Sequence, residues 1–119
     1  MSGKQHTPIL FLALVLACAV PVRAQYGTGI ILGTVTDPSG AVIPGATVEV
    51  RNNATNETRT YVTDEMGNYR FTALPSGTYT ITAAAGGFRT ATVGEVVLRV
   101  NMQVRVDIRM EIGAAAETN

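Results

Sequence analysis

The stretch Gly33–Val50, GTVTDPSGAVIPGATVEV, decides the fold together with Thr63–Phe71 (TDEMGNYRF) and Leu74–Ile81 (LPSGTYTI). Val48 and Val50 fall on one face of a two-residue period and Glu49 on the other, the alternation of a half-buried strand. Asn68-Tyr69-Arg70-Phe71, Tyr79-Thr80-Ile81-Thr82-Ala83 and Val104–Met110 repeat it. Ile31, Gly33 and Val35 fit a first strand, and Val96, Leu98 and Val100 another. β-branched and aromatic residues fill these runs, as a pleated surface prefers. No segment carries a sustained helical stripe.

The breaks are as regular as the runs. Asp37-Pro38-Ser39-Gly40 is a turn in which Pro presets φ and Gly accepts a positive φ. Ile43-Pro44-Gly45 adds a bend, and Pro44, which cannot donate to a ladder, is expected to skirt a sheet edge. Asn52–Asn56 is a polar loop, and Asp64–Asn68 and Pro75-Ser76-Gly77 are hairpin-like turns. Six to seven short strands spaced about 8–12 residues apart predict an all-β, antiparallel seven-stranded β-sandwich.

Outward from this region, the chain has 119 residues and no formal net charge, enough for one domain. Ile9–Val20 (ILFLALVLACAV) is an apolar run preceded by Lys4 and followed by Pro21-Val22-Arg23-Ala24. It is shorter than the roughly 20 residues of a membrane-spanning helix. It reads as a signal-peptide helix over residues 1–24, cleaved between Ala24 and Gln25. Val15-Leu16-Ala17-Cys18 is a second reading, a lipoprotein box with Cys18 as the lipidated residue, though Leu16 fits that pattern poorly. Residues 25–29 read as a short linker, 30–112 as the sandwich and 113–119 as a disordered tail.

Removing residues 1–24 empties the inventory of reactive side chains. His6, Cys18 and Lys4 are the sole residues of their types and all lie in the leader. Seven Arg then face nine Asp and Glu, a net charge of −2. Without Cys no disulfide framework exists, and an apolar core must hold the fold. A slightly acidic chain lacking Lys argues against nucleic-acid and anionic-membrane partners.

The spacing Gly33-x-Val35-x-Asp37-x-x-Gly40-x-x-Ile43-Pro44-Gly45-Ala46-x-Val48 resembles the opening of carboxypeptidase regulatory-like domains. Thr63-Asp64-x-x-Gly67-x-Tyr69-x-Phe71-x-x-Leu74-Pro75-x-Gly77-x-Tyr79-x-Ile81 and Gly87-Phe88 continue the resemblance. It implies a transthyretin-like, immunoglobulin-like sandwich of the carbohydrate-binding-like group. Val100-Asn101, Val104-x-Val106-Asp107-x-x-Met110-x-x-Gly113 and Glu117 further resemble the N-terminal extension of Oar-like TonB-dependent receptors. There the sandwich precedes a plug and a transmembrane barrel. The resemblance implies export to the periplasm or outer membrane of a Gram-negative bacterium, as a stand-alone module or a truncated receptor. In metallocarboxypeptidases such a domain is an accessory, with zinc and the catalytic Glu elsewhere.

Chemistry has few footholds here. Without His or Cys after residue 24, a His-containing zinc site or a Ser-His-Asp relay cannot be assembled. We expect no enzyme activity, no catalytic residue, no metal site and no cofactor. Asp37, Ser39, Asp64 and Glu65 offer oxygen ligands for a hard cation, but turn capping accounts for them. Asn53-Ala54-Thr55 and Asn56-Glu57-Thr58 match a glycosylation sequon and read as polar loop. Glu49, Asp107 and Glu111 read as solvated or paired charge on strand faces. Tyr69, Phe71 and Tyr79 share the phase of the core, which leaves Tyr26 and Tyr61 as candidate glycan contacts.

The expected function is a non-catalytic, exported module for protein–protein contact at the cell envelope. Its partner would add to an exposed edge, at Pro44 or along Gln103–Ile112. The alternative is a carbohydrate-binding module, and the weakest is an accessory domain of a hydrolase.

Overall fold

A computed structural model of the chain describes residues 27–113. The expected signal helix with Cys18, Ala24 and Gln25 lies outside the described residues, as do Tyr26 and residues 114–119. Eight strands follow in order: β1 (Thr28–Thr36), β2 (Thr47–Asn52), β3 (Thr58–Val62), β4 (Asn68–Pro75), β5 (Gly77–Ala84), β6 (Ala91–Leu98), β7 (Gln103–Arg105) and β8 (Ile108–Arg109). One sheet has the order β4-β1-β7, with β8 continuing along β1; the other runs β3-β2-β5-β6. The two sheets form the expected sandwich.

Alternation in the sequence becomes alternation of burial. Gly29, Ile31, Gly33 and Val35 of β1 point inward, as do Val48 and Val50 of β2 and Tyr79, Ile81 and Ala83 of β5. The core adds Tyr69, Phe71, Leu74, Leu98, Ile108 and Met110. Apolar area removed from water at about 25 cal/mol per Å2 is the main term holding the sheets together. Val100, expected to continue the inward phase of β6, lies beyond the strand and is 52% exposed.

The C-terminal edge departs from antiparallel pairing. The expected strand over Val104–Met110 is interrupted at Val106-Asp107, and both halves run parallel to β1. Alternation alone encodes which face a residue takes, not the direction of its neighbour.

Turns form where the sequence places them. Gly40, Gly45 and Gly67 take φ of 93°, 77° and 77°, a region where a Cβ is penalised. Pro44 sits in the bend between Ile43 and β2, and its neighbours run along the sheet margins, Ile43 N donating to Val35 O and Gly45 N to Thr63 O. Thr63, 5% exposed, fixes that bend: its Oγ1 donates to the Ile43 carbonyl at 2.7 Å and accepts from the Ala46 amide at 2.8 Å. Ala73 at φ 55° and Glu95 at φ 60° mark irregularities in β4 and β6, where pairing with β1 and β5 slips by one residue.

Candidate functional site

The sandwich presents four edges, and three are blunted. β6 is broken by its bulge at Gly94-Glu95, and β7 and β8 are only three and two residues long. Along β4 the outward carbonyls of Thr72 and Ala73 accept from Arg59 Nη1 and Nη2 at 2.8 and 3.0 Å. Arg59 belongs to β3 in the other sheet, so its guanidinium caps the β4 carbonyls from across the sandwich and leaves the backbone edge of β3 itself uncapped.

Among the described residues, β3 is the open edge. Asn52 N donates to Glu57 O and Thr63 N to Ala46 O, bracketing the β2–β3 ladder. Hydrogen-bonded pairs alternate along an antiparallel ladder. Arg59 and Tyr61 therefore bond to β2, while the backbone groups of Thr58, Thr60 and Val62 point away from it. All five residues of β3 are exposed, with no Pro and no bulge.

Tyr61 and Arg59 face the core side, opposite Val48 and Val50. The Tyr61 ring meets Phe71 edge-on at 5.9 Å and 69°. It remains 38% exposed and borders a surface depression of about 370 Å3 with Asp64, Asn68, Tyr69, Arg70, Leu32 and Arg105. Register assembles this group: Arg70 and Arg105 flank Leu32 from β4 and β7. Asp107 Oδ1 lies 3.1 Å from Arg105 Nε, Arg105 Nη2 donates to Thr34 Oγ1 at 2.9 Å, and Thr34 Oγ1 donates to Asn68 Oδ1 at 2.7 Å.

Beneath this row Tyr69 is 1% exposed and donates its hydroxyl to the Val106 carbonyl. Burial, reinforced by the Asp107 carboxylate and opposed by Arg105, pushes the phenol well above its ordinary value. Tyr79 is likewise buried and donates to Pro75 O at 2.6 Å. These rings belong to the core, as their phase in the sequence indicates.

The other expected site residues are kept apart by their turns. Asp37 Oδ1 accepts from the Ser39 hydroxyl at 2.7 Å and from the Ser39 and Ala41 amides. The Ser39 hydroxyl, with the loop amides, holds this carboxyl below its ordinary value. Asp64 Oδ1 accepts from the Met66 and Asn68 amides. No group of three His, Cys, Asp or Glu gathers among the described residues. Glu49 lies opposite Thr60 and Thr82 rather than another carboxylate, and Glu111 is exposed. Asn53 Oδ1 accepts from Thr80 at 2.9 Å. Sequence reasoning singled out Tyr61 but not Arg70, Arg105 or Asn68. Their signal, polar residues on the outward phase of strands, acquires meaning only through register.

The fold and its edges define a two-sheet β-sandwich module. The chain belongs to the carboxypeptidase regulatory-like domain family, whose model matches residues 30–111. It is 35% identical over 82 residues to the TonB-dependent transporter Oar of Myxococcus xanthus, covering 67% of this chain and 8% of that protein's length. Among solved structures, catechol 1,2-dioxygenase of Acinetobacter radioresistens superposes with a TM-score of 0.62 at 17% identity, over 80% of this chain and 56% of the enzyme. A carbohydrate-binding protein of Bacteroides uniformis, so described provisionally, superposes at 0.58 and 21% identity, over 71% and 41% of the two chains. At these identities the structural likenesses speak to fold alone. No helix among the described residues is long and apolar enough to cross a membrane, which says nothing of β-barrels.

Proposed function

We propose that this domain is a non-catalytic, exported interaction module of the cell envelope, in the periplasm or at the outer membrane. It engages a protein partner by adding a strand of that partner to β3. The open backbone of Thr58, Thr60 and Val62 carries the reading, because an unpaired strand edge is a template for a further strand. Its likeness to a segment of a TonB-dependent transporter supports the envelope setting.

The test uses Thr60→Pro, which removes an outward N–H while sparing the β2 ladder. Immobilised wild-type domain is expected to retain an envelope protein that the T60P form releases. Equal retention by both, or no partner across several growth conditions, overturns the reading.

A second reading, glycan binding, is favoured by the depression beside Tyr61. It combines an exposed aromatic ring with convergent polar groups, as small-ligand sites do.

A further inference from the structure

We propose that the depression bounded by Tyr61, Asp64, Asn68 and Arg70 binds a carboxylate-bearing sugar of the uronic acid class, its ring against Tyr61 and its carboxylate on Arg70. The proposal rests on the glycan reading and adds the charge and chemical class of the ligand.

The row of hydrogen bonds across the first sheet settles what the site offers. Arg105 is neutralised by Asp107 and also donates to Thr34, whose hydroxyl must then donate onward to Asn68 Oδ1. With its oxygen committed, the Asn68 amide presents its nitrogen as a donor. Asp64 commits Oδ1 to two backbone amides and keeps Oδ2 as an acceptor. Arg70 has no ion-pair partner among the described residues. The Tyr61 hydroxyl likewise has no hydrogen-bond partner there, and its ring is oriented by Phe71.

The rim is thus rich in donors, with one unpaired cation, one acceptor and one aromatic face. A guanidinium binds a carboxylate through two parallel N–H···O bonds. The Asn68 amide suits ring and hydroxyl oxygens, and Asp64 suits a hydroxyl donor. The Asp64 charge disfavours a bare anion, which brings no hydroxyl to offset the repulsion. A depression of about 370 Å3 lies within the size range of small-ligand sites.

The test titrates the 15N-labelled domain with digalacturonate, with the neutral disaccharide galactobiose and with acetate. Digalacturonate is expected to shift the amides of Tyr61, Asn68 and Arg70 and to bind about tenfold more tightly than galactobiose, a difference of about 1.4 kcal/mol. Arg70→Gln should abolish that preference, and Tyr61→Leu, which keeps an apolar group against Phe71, should weaken both sugars. Arg51→Gln, on the outer face of the other sheet, should change neither. Equal binding of the two disaccharides at this site overturns the acidic preference and leaves the glycan reading standing. Absence of shifts with either sugar overturns both. Acetate reproducing the shifts at equal affinity, or R51Q weakening binding as R70Q does, reduces the site to nonspecific charge and overturns the proposal.

Discussion

Arg59 donates to the carbonyl of Ala73 at 3.0 Å, although the two residues belong to different sheets. Ala73 sits at φ 55°, a conformation that costs a non-glycine residue roughly 1 kcal/mol or more. Turning the backbone there directs two successive carbonyls at one guanidinium. Arg59→Ala should destabilise the domain by about 1–2 kcal/mol by leaving both carbonyls without their charged donor. Arg59→Lys, which cannot present a planar fork, should recover only part of the loss. Urea denaturation of the three proteins checks the order.

Gly33 is a site of close approach. A Cβ there would overlap the Val106 carbonyl oxygen and lie 2.9 Å from the Tyr69 hydroxyl. The obstacle is backbone and cannot swing aside. Gly33→Ala should detach the segment between β7 and β8 and cost about 3 kcal/mol or more. Thermal unfolding measures the loss, and Gly86→Ala, where a Cβ meets open space, is the control.

Tyr69 gives the fold a limit in alkali. Its folded-state pKa lies above the ordinary value near 10, so the folded domain holds the phenolic proton more tightly than the unfolded chain does. Its contribution is complete below about pH 10 and is lost as pH rises toward the folded value. Tyr69→Phe should lower stability at neutral pH by about 1–3 kcal/mol through the unsatisfied Val106 carbonyl. The variant should also show a shallower decline above pH 10, read from urea midpoints across the alkaline range.

Thr63 carries the bend around Pro44. Thr63→Val keeps the shape but strands the Ala46 amide and the Ile43 carbonyl, at a cost of about 2–3 kcal/mol. Thr63→Ser keeps the hydroxyl and should lose less. Chemical denaturation distinguishes the two.

Asp37 titrates below the ordinary carboxylate value. Its stabilising contribution is therefore present above the unfolded pKa and lost as pH falls through the folded one. A carboxyl-carbon NMR titration should find its midpoint below 3.8, and Ser39→Ala should raise it, since the Ser39 hydroxyl is the main cause.

What the sequence discloses is governed by the range of the interaction. Gly40, Gly45 and Gly67 announce their turns because the constraint lies within the residue itself. Tyr69 and Tyr79 announce the core because burial follows the strand period. β3 carries no such alternation, since all five of its residues are exposed, and only the turn at Asp64 implies a strand before it. Ala73 and Glu95 give no local warning of their positive φ, because contacts with other strands impose it. The Tyr61 depression was half legible for the same reason. The ring is visible in the sequence, while Arg70, Asn68 and Arg105 meet it only through pairing with Leu32 and Thr34.

The parallel course of β7 and β8 along β1 has a mechanical consequence. The segment that opens the domain and the one that closes it lie side by side, with their far ends at opposite poles of the sandwich. Tension along the chain drags β1 against its neighbours lengthwise. The links Ile30 N to Met102 O, Val106 N to Leu32 O and Met110 N to Thr36 O, each 2.8–2.9 Å, take that load together rather than one after another. Placed between tethered partners, the sandwich would resist pulling as a shear clamp, with Val106 and its Tyr69 bond at the middle of the loaded seam.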